Sequence, residues 1–294
     1  HNFKIPPKVT TISTYLFNRC SNLSIIEIHD DVTSIQSHAF AICTSLHNFK
    51  IPPKVTSISN YLFSQCSNLL SVEFHDNITS IGSNVFFECS NLQYFAIPPK
   101  VTTISNSLFF RCNSLSSIEI HDDVTSIESR AFFECTCIQN FTIPPKVNTI
   151  SNSLFSGCSN LSSIEIHDNV ISIGSSAFSG CKSLQNFTIP PKVTTIPNSL
   201  FAACSILSSI VIHEDVSSIE SYAFSDCISL FNFTIPPKVT IIDTGLFRRC
   251  YNLSLIQIHD DVTEIKRQVF ANCTSLQSFM IPPNLRSIDS KFLL

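Results

Sequence analysis

The chain has 294 residues, 44% of them hydrophobic, which supplies a folded core and excludes a disordered chain. Its 18 Lys+Arg against 22 Asp+Glu leave a net charge of −4, so no basic field exists to hold a nucleic-acid backbone. No apolar run reaches the roughly 18 residues of a membrane span, and five glycines leave little for the phosphate-cradling loops of nucleotide enzymes. The first residue is His1 with no charged-then-apolar leader behind it, so the chain is expected to be a fragment of a longer array.

In chain order, one element keeps returning. Residues 1–10 and 47–56 are the same decapeptide, and Ile5, Ile28, Ile51, Phe74 and Ile97 begin a series spaced 23 residues apart that runs to Ile281. Phe17, Phe40 and Phe63 open a second series, and Cys20, Cys43 and Cys66 a third, which leaves Cys137 as the one cysteine out of step. Written from Leu23, the unit is L-x-x-I-x-I-x-x-x-V-x-x-I-x-x-x-[AL]-F-x-x-C-x-x. The alternating first segment predicts a short strand with Ile26 and Ile28 inward and Ile25 and Glu27 outward. V-x-x-I predicts a second extended piece, and A-F-x-x-C, at spacing i, i+1, i+4, predicts one helical turn. A 23-residue unit cannot bury its own apolar side, so about thirteen units must stack and share a core as a solenoid.

Units alternate in kind. Odd ones carry Phe-x-Ile-Pro-Pro-Lys, as at residues 49–54, where the prolines end the strand by removing donors. Even ones carry Ile-Glu-Ile-His-Asp, as at residues 26–30. Lys8, Lys54 and Lys100 share their position with Asp31 and Asn77 of the alternate units, which predicts a charge ladder with an acid or amide on both sides of each Lys, holding the stacking register.

Chemistry has little purchase on this pattern. The regularly placed cysteines are expected to be small buried hydrophobes, and Cys137 the candidate reactive thiol. His29, His75, His121, His167, His213 and His259 each precede an acid, but six equivalent copies make no single pre-organised catalytic site. Successive histidines lie two units apart, roughly 10 Å, too far to share a metal. No catalytic, metal or cofactor site is assigned. Protonating all nine histidines would carry the charge from −4 to +5, so binding in mild acid is a further expectation.

Specificity must therefore lie at positions that vary. The outward position of the I-x-I strand includes Glu27, Glu73, Glu119 and Glu165 and loses charge beyond them. Val211, with Phe231, Leu255 and Met280 nearby, is expected to form an apolar partner-binding patch. Phe87, Phe110 and Phe133 form a second stripe on the turn side, a possible outer-face contact.

The unit resembles the BspA-like family, the treponemal class of leucine-rich repeats. The residues that carry the likeness run from Leu184 through Phe187, Ile189, Pro190, Val193, Ile196, Leu200 and Phe201 to Cys204, and the pattern covers essentially the whole chain. Even units put His where the family favours Pro, and odd units put Leu where it favours Ala. The resemblance implies an α/β leucine-rich-repeat solenoid, a horseshoe with a parallel sheet on its concave face and short strands and helical turns on the convex side. Residues 1–294 would form a single such domain. It also implies surface proteins of bacteria and parasitic protozoa that bind host cells or extracellular matrix. The function expected is a non-catalytic surface or secreted adhesin with a protein ligand, no nucleic acid and no membrane insertion by this segment. The alternative is a cytoplasmic scaffold that bridges other proteins.

Overall fold

The computed structural model of the protein describes residues 2–293. Among them, twelve three-residue strands, beginning Asn2–Lys4, Ile25–Glu27 and Asn48–Lys50, alternate with two-residue strands such as Thr11–Ile12 and Ser34–Ile35. Strands pair in parallel one repeat apart, as in Phe49 with Val72 and Ile58 with Ile81. The chain divides into two compact units, His1–Ile138 with Pro144–Val147, and Gln139–Ile143 with Asn148–Leu294. Each is a parallel-strand solenoid, one coil per 23-residue repeat.

The repeated apolar positions fill both interiors. Phe40, Phe63, Phe86 and Phe109 in the first unit and Phe178, Phe201 and Phe224 in the second are fully buried. Their rings stack along the coil axis, Phe86 on Phe109 at 5.6 Å and 4°, Phe178 on Phe201 at 5.9 Å and 11°. Val, Leu and Ile columns beside them, such as Val55, Leu69 and Ile104, are equally enclosed, so each coil supplies a layer that only its neighbours can cover.

The A-F-x-x-C segment is not the helical turn its spacing predicts, and among the described residues there is no helix. Two residues in each such segment, four apart, take left-handed backbone, for example Tyr61 at φ 58° and Gln65 at φ 61°. A right-handed helix cannot contain them. Instead the N–H groups divide their labour. Those of Ser64 and Cys66 close tight turns onto Tyr61 and Phe63 carbonyls. Those of Tyr61, Phe63 and Gln65 reach out to Ser83, Val85 and Phe87 of the next coil at 3.0, 3.1 and 2.6 Å. The inward spacing i, i+1, i+4 is common to both conformations, which is why the pattern misled.

Strand pairing follows the 46-residue alternation. Odd coils pair with the even coil after them, Asn2–Lys4 with Ile25–Glu27, Asn48–Lys50 with Ser71–Glu73, Asn186–Thr188 with Ser209–Val211. Between an even coil and the odd coil that follows, within either unit, the three-residue strands are not paired. The odd-coil Phe is wedged there: Phe49 sits tilted against Phe40 at 4.9 Å and edge-on to Phe63 at 4.7 Å, and Phe233 likewise between Phe224 and Phe247 at 5.0 and 4.8 Å. A ring in that position holds the backbones apart. On the strand side, side chains bridge the gap, Ser59 Oγ donating to the Ile35 carbonyl at 2.7 Å and Lys54 Nζ reaching Asp31 at 2.7 Å, while on the turn side backbone bonds such as Phe40 N–H to the Leu62 carbonyl at 3.1 Å continue across it.

The predicted Lys ladder is thereby corrected. From Lys54 onward each Lys contacts the acid or amide of the preceding even coil, as Lys100 does Asn77 at 2.9 Å, Lys146 Asp123 at 2.6 Å and Lys238 Asp215 at 2.6 Å. The next even coil lies beyond a paired odd–even step, so the ladder is a set of clasps across the unpaired junctions.

Candidate functional site

The face built by the outward residues of the three-residue strands holds most of the sequence-selected positions. Glu27 and Glu73 are exposed and already paired, with Lys4 at 3.2 Å and Lys50 at 3.1 Å. Glu165 accepts from the Thr142 hydroxyl at 3.1 Å. Glu119 stands beside the Tyr94 hydroxyl, where its carboxylate raises the phenol's pKa by hydrogen bonding and charge. The acidic column is thus half neutralised by neighbours one coil away.

Val211, Phe231, Leu255 and Met280 are exposed by 57%, 58%, 50% and 82%, large values for apolar side chains. Val211 closes the strand Ser209–Val211 opposite Thr188, Leu255 opens Leu255–Gln257 opposite Asn232, and Phe231 immediately precedes Asn232–Thr234. Thr234 and Gln257 occupy the coil positions between Val211 and Met280. The apolar side chains are therefore spread over three neighbouring columns and interleaved with hydroxyl and amide groups.

On the turn side, Phe87, Phe110 and Phe133 are half-buried and stack face to face, at 4.7 Å and 7°, then 4.6 Å and 4°. The Arg111 guanidinium lies 5.4 Å from the Phe110 ring centre. It pairs with Glu88 at 3.3 Å and Glu134 at 2.8 Å, while Gln65 donates to Glu88 at 2.9 Å. Sequence reasoning missed this ladder, although residues 65, 88, 111 and 134 keep the 23-residue interval. It borders a shallow groove of about 470 Å³ lined by Ile42, Thr44, Ser67 and Asn113 among others.

The histidine ladder is structural. His29, His75, His121 and His213 place Nε2 at 3.0 or 3.1 Å from the proline carbonyl of the preceding odd coil. A carbonyl only accepts, so Nε2 carries the hydrogen. In His29 and His75 the opposite nitrogen accepts the backbone N–H two residues on, at 3.2 and 3.3 Å. Elsewhere, His38 lies stacked between Tyr15 and Tyr61, both at 4.6 Å, and burial lowers its pKa.

The cysteines in step with the repeat do more than fill space. Cys66, Cys112 and Cys204 each donate Sγ–H to a Phe carbonyl 26 residues back, at 3.0 to 3.1 Å. Burial pushes the Cys43 thiol up to about 12 and Cys66 well above its ordinary value, so both stay protonated. Cys137 is partly exposed, but Cys20 is more so. No group of three His, Cys, Asp or Glu among the described residues is placed to hold a metal, and no helix there is long and apolar enough to cross a membrane.

Short parallel strands stacked every 23 residues, with tight turns between them and Leu, Ile, Phe and Cys at fixed inward positions, define a leucine-rich-repeat protein. The sequence model of the BspA type leucine-rich repeat region matches residues 1–115, 102–208 and 194–293, and the chain belongs to that family. A leucine-rich repeat protein from Bacteroides ovatus is 28% identical, with 94% of this chain and 77% of that one aligned at a TM-score of 0.80. A leucine rich cell surface protein from Faecalibacterium prausnitzii is 29% identical over 94% of this chain and 86% of that one, with a TM-score of 0.69. No curated relative matches the chain.

Proposed function

We propose that this chain is a non-catalytic protein-binding scaffold at a cell surface, an adhesin that holds a host-cell or matrix protein on the outward face of its three-residue strands. Residues 1–294 act in it as one repeat domain. The observation that carries the reading is the division of labour between positions. Inward residues barely change from coil to coil, whereas the outward columns vary and leave Val211, Phe231, Leu255 and Met280 in solvent. Exposed apolar residues in that number mark interaction surfaces. The surface location is supported by the Faecalibacterium neighbour, described as a cell surface protein.

Capture of a binding partner by the wild-type chain and by Val211→Glu and Met280→Glu tests the reading. Both side chains are more than half exposed, so the variants are expected to fold normally and lose capture. Unchanged capture by the double variant would refute the assignment of this face.

One observation favours an intracellular scaffold as the second reading. The cysteines are free thiols without a disulfide among them, which is the usual state of cytosolic cysteines. The stack of Phe87, Phe110 and Phe133 with its Arg111 ladder would then be the bridging surface. Alanine at Phe110 with retained capture by the strand face separates the two surfaces.

A further inference from the structure

The unpaired even-to-odd junctions leave clefts on the strand face. In the second unit one has a volume of about 340 Å³ and is lined by the ordinary repeat residues, among them Ser208, Ser209, Asn232 and Thr234. The corresponding cleft of the first unit, about 300 Å³, lies between the strands Ser71–Glu73 and Tyr94–Ala96 and is chemically different. Three departures from the repeat make it so. Phe74 stands where neighbouring units have Ile, Tyr94 where the other odd units have Asn or, in the last, Ser, and Ala96 where they have Lys, Thr or, in the last, Met.

The aromatic rings form a wall. Phe74 meets Phe95 edge-on at 5.4 Å and 70°, Tyr94 is 48% exposed, and Pro98 and Pro99 complete the apolar lining. Charge is unbalanced around it. Glu27 and Glu73 have lysine partners one coil before them, but Ala96 removes the lysine that would serve Glu119. Asp76 is exposed and lines the cleft. Among the described residues neither Asp76 nor Glu119 has an ion pair, and Lys100 is engaged by Asn77 at 2.9 Å. His75 is held by the Pro52 carbonyl at 3.1 Å and the Asn77 N–H at 3.3 Å.

We propose that this cleft is a site for a cationic side chain, arginine or lysine, presented by the protein partner. An apolar slot with the Asp76 carboxylate in its lining, and Glu119 one coil beyond it opposite Ala96 and hydrogen-bonded to Tyr94, complements a group with an apolar stem and a positive head, which packs its stem on the rings and gains cation–π attraction. The slot holds one such side chain and lies at the small end of the roughly 300–1,000 Å³ range of ligand sites. The inference rests on the protein-binding reading and names the partner chemistry that one part of the face selects.

The probes are N-acetyl-arginine amide and N-acetyl-leucine amide, followed by saturation-transfer NMR on the whole chain. Phe74→Ile with Tyr94→Asn restores residues that the repeat itself carries at those positions, so the coil is retained. Arginine binding is expected to weaken at least tenfold in that double variant, several-fold in Glu119→Gln and Asp76→Asn, and with added salt, and the leucine probe to bind less. Equal binding of the two probes, or arginine binding unchanged in the double variant or in the exposed-carboxylate variants, would overturn the proposal. A single amino-acid derivative reads this cleft without any protein partner. Its failure therefore leaves capture through Val211 and Met280 standing, and the reverse also holds.

Discussion

Replacing Ala203 by glycine has opposite consequences for a helical turn and for the turn observed. Ala203 sits at φ 61°, in the same coil position as Gly157 at φ 79° and Gly180 at φ 72°. An L-residue in left-handed backbone costs roughly 1–2 kcal/mol, and glycine returns about 0.5–1 kcal/mol of that through its greater unfolded-state freedom. Ala203→Gly is therefore expected to stabilise the chain by about 0.5–1 kcal/mol. Gly180→Ala should destabilise it by a similar amount. A methyl there would meet only Gly157 atoms at 3.5 Å, ordinary contact, so the loss reports backbone strain alone. Urea midpoints of both variants against the parent measure the pair, with a helical position losing about 1 kcal/mol on Ala→Gly. A lower midpoint for Ala203→Gly would refute the left-handed assignment and restore the helical turn.

Four other outcomes are expected. Thiol reagent applied to the native chain should modify Cys20 and Cys137 rapidly and the buried cysteines only after denaturation, by intact-mass counting. Burial raises the buried thiols above their ordinary value of 9.0, Cys43 and Cys204 to about 12. The folded chain therefore keeps protons that the unfolded chain releases, and the thiols' contribution to stability should be level from neutral pH to 9 and fall from there toward 12 in pH-dependent urea titrations. Lys146→Met should let the Asp123 carboxyl, held low chiefly by its hydrogen bond to Lys146, return toward the ordinary 3.8 in carbon-detected NMR, whereas an unmoved Asp123 would show the clasp absent in solution. Single-molecule extension should release coils in pairs, with steps near 46 residues or about 160 Å, against about 80 Å if every coil were independent.

Much of the fold was legible because inward residues recur at one fixed interval. Phe40, Phe63 and Phe86 could face only a shared interior, and they are fully buried. The turn was not legible, since its left-handed positions carry residues such as Tyr61, Gln65, Glu88 and Arg111, with only Gly157, Gly180 and Gly245 giving the usual signal. Contacts with the next coil impose that backbone. Pairing of coils was half visible: the alternation of Pro-Pro with His-Asp marks it, but the gap arises from where the Phe49 and Phe233 rings lodge. On the outward face, the variable residues Val211 and Met280 stand out in the sequence as exposed apolar positions. The Phe74–Tyr94 cleft does not, because it takes two coils, an unpaired junction and a missing lysine to make it.

Surface display is the part of the account that decides between adhesion and internal scaffolding, and antibody labelling of intact against permeabilised cells tests it most directly. Labelling of intact cells is the expected result and makes matrix and host-cell proteins the partners to screen. Signal only after permeabilisation would contradict the adhesin reading and turn the search to partners inside the cell.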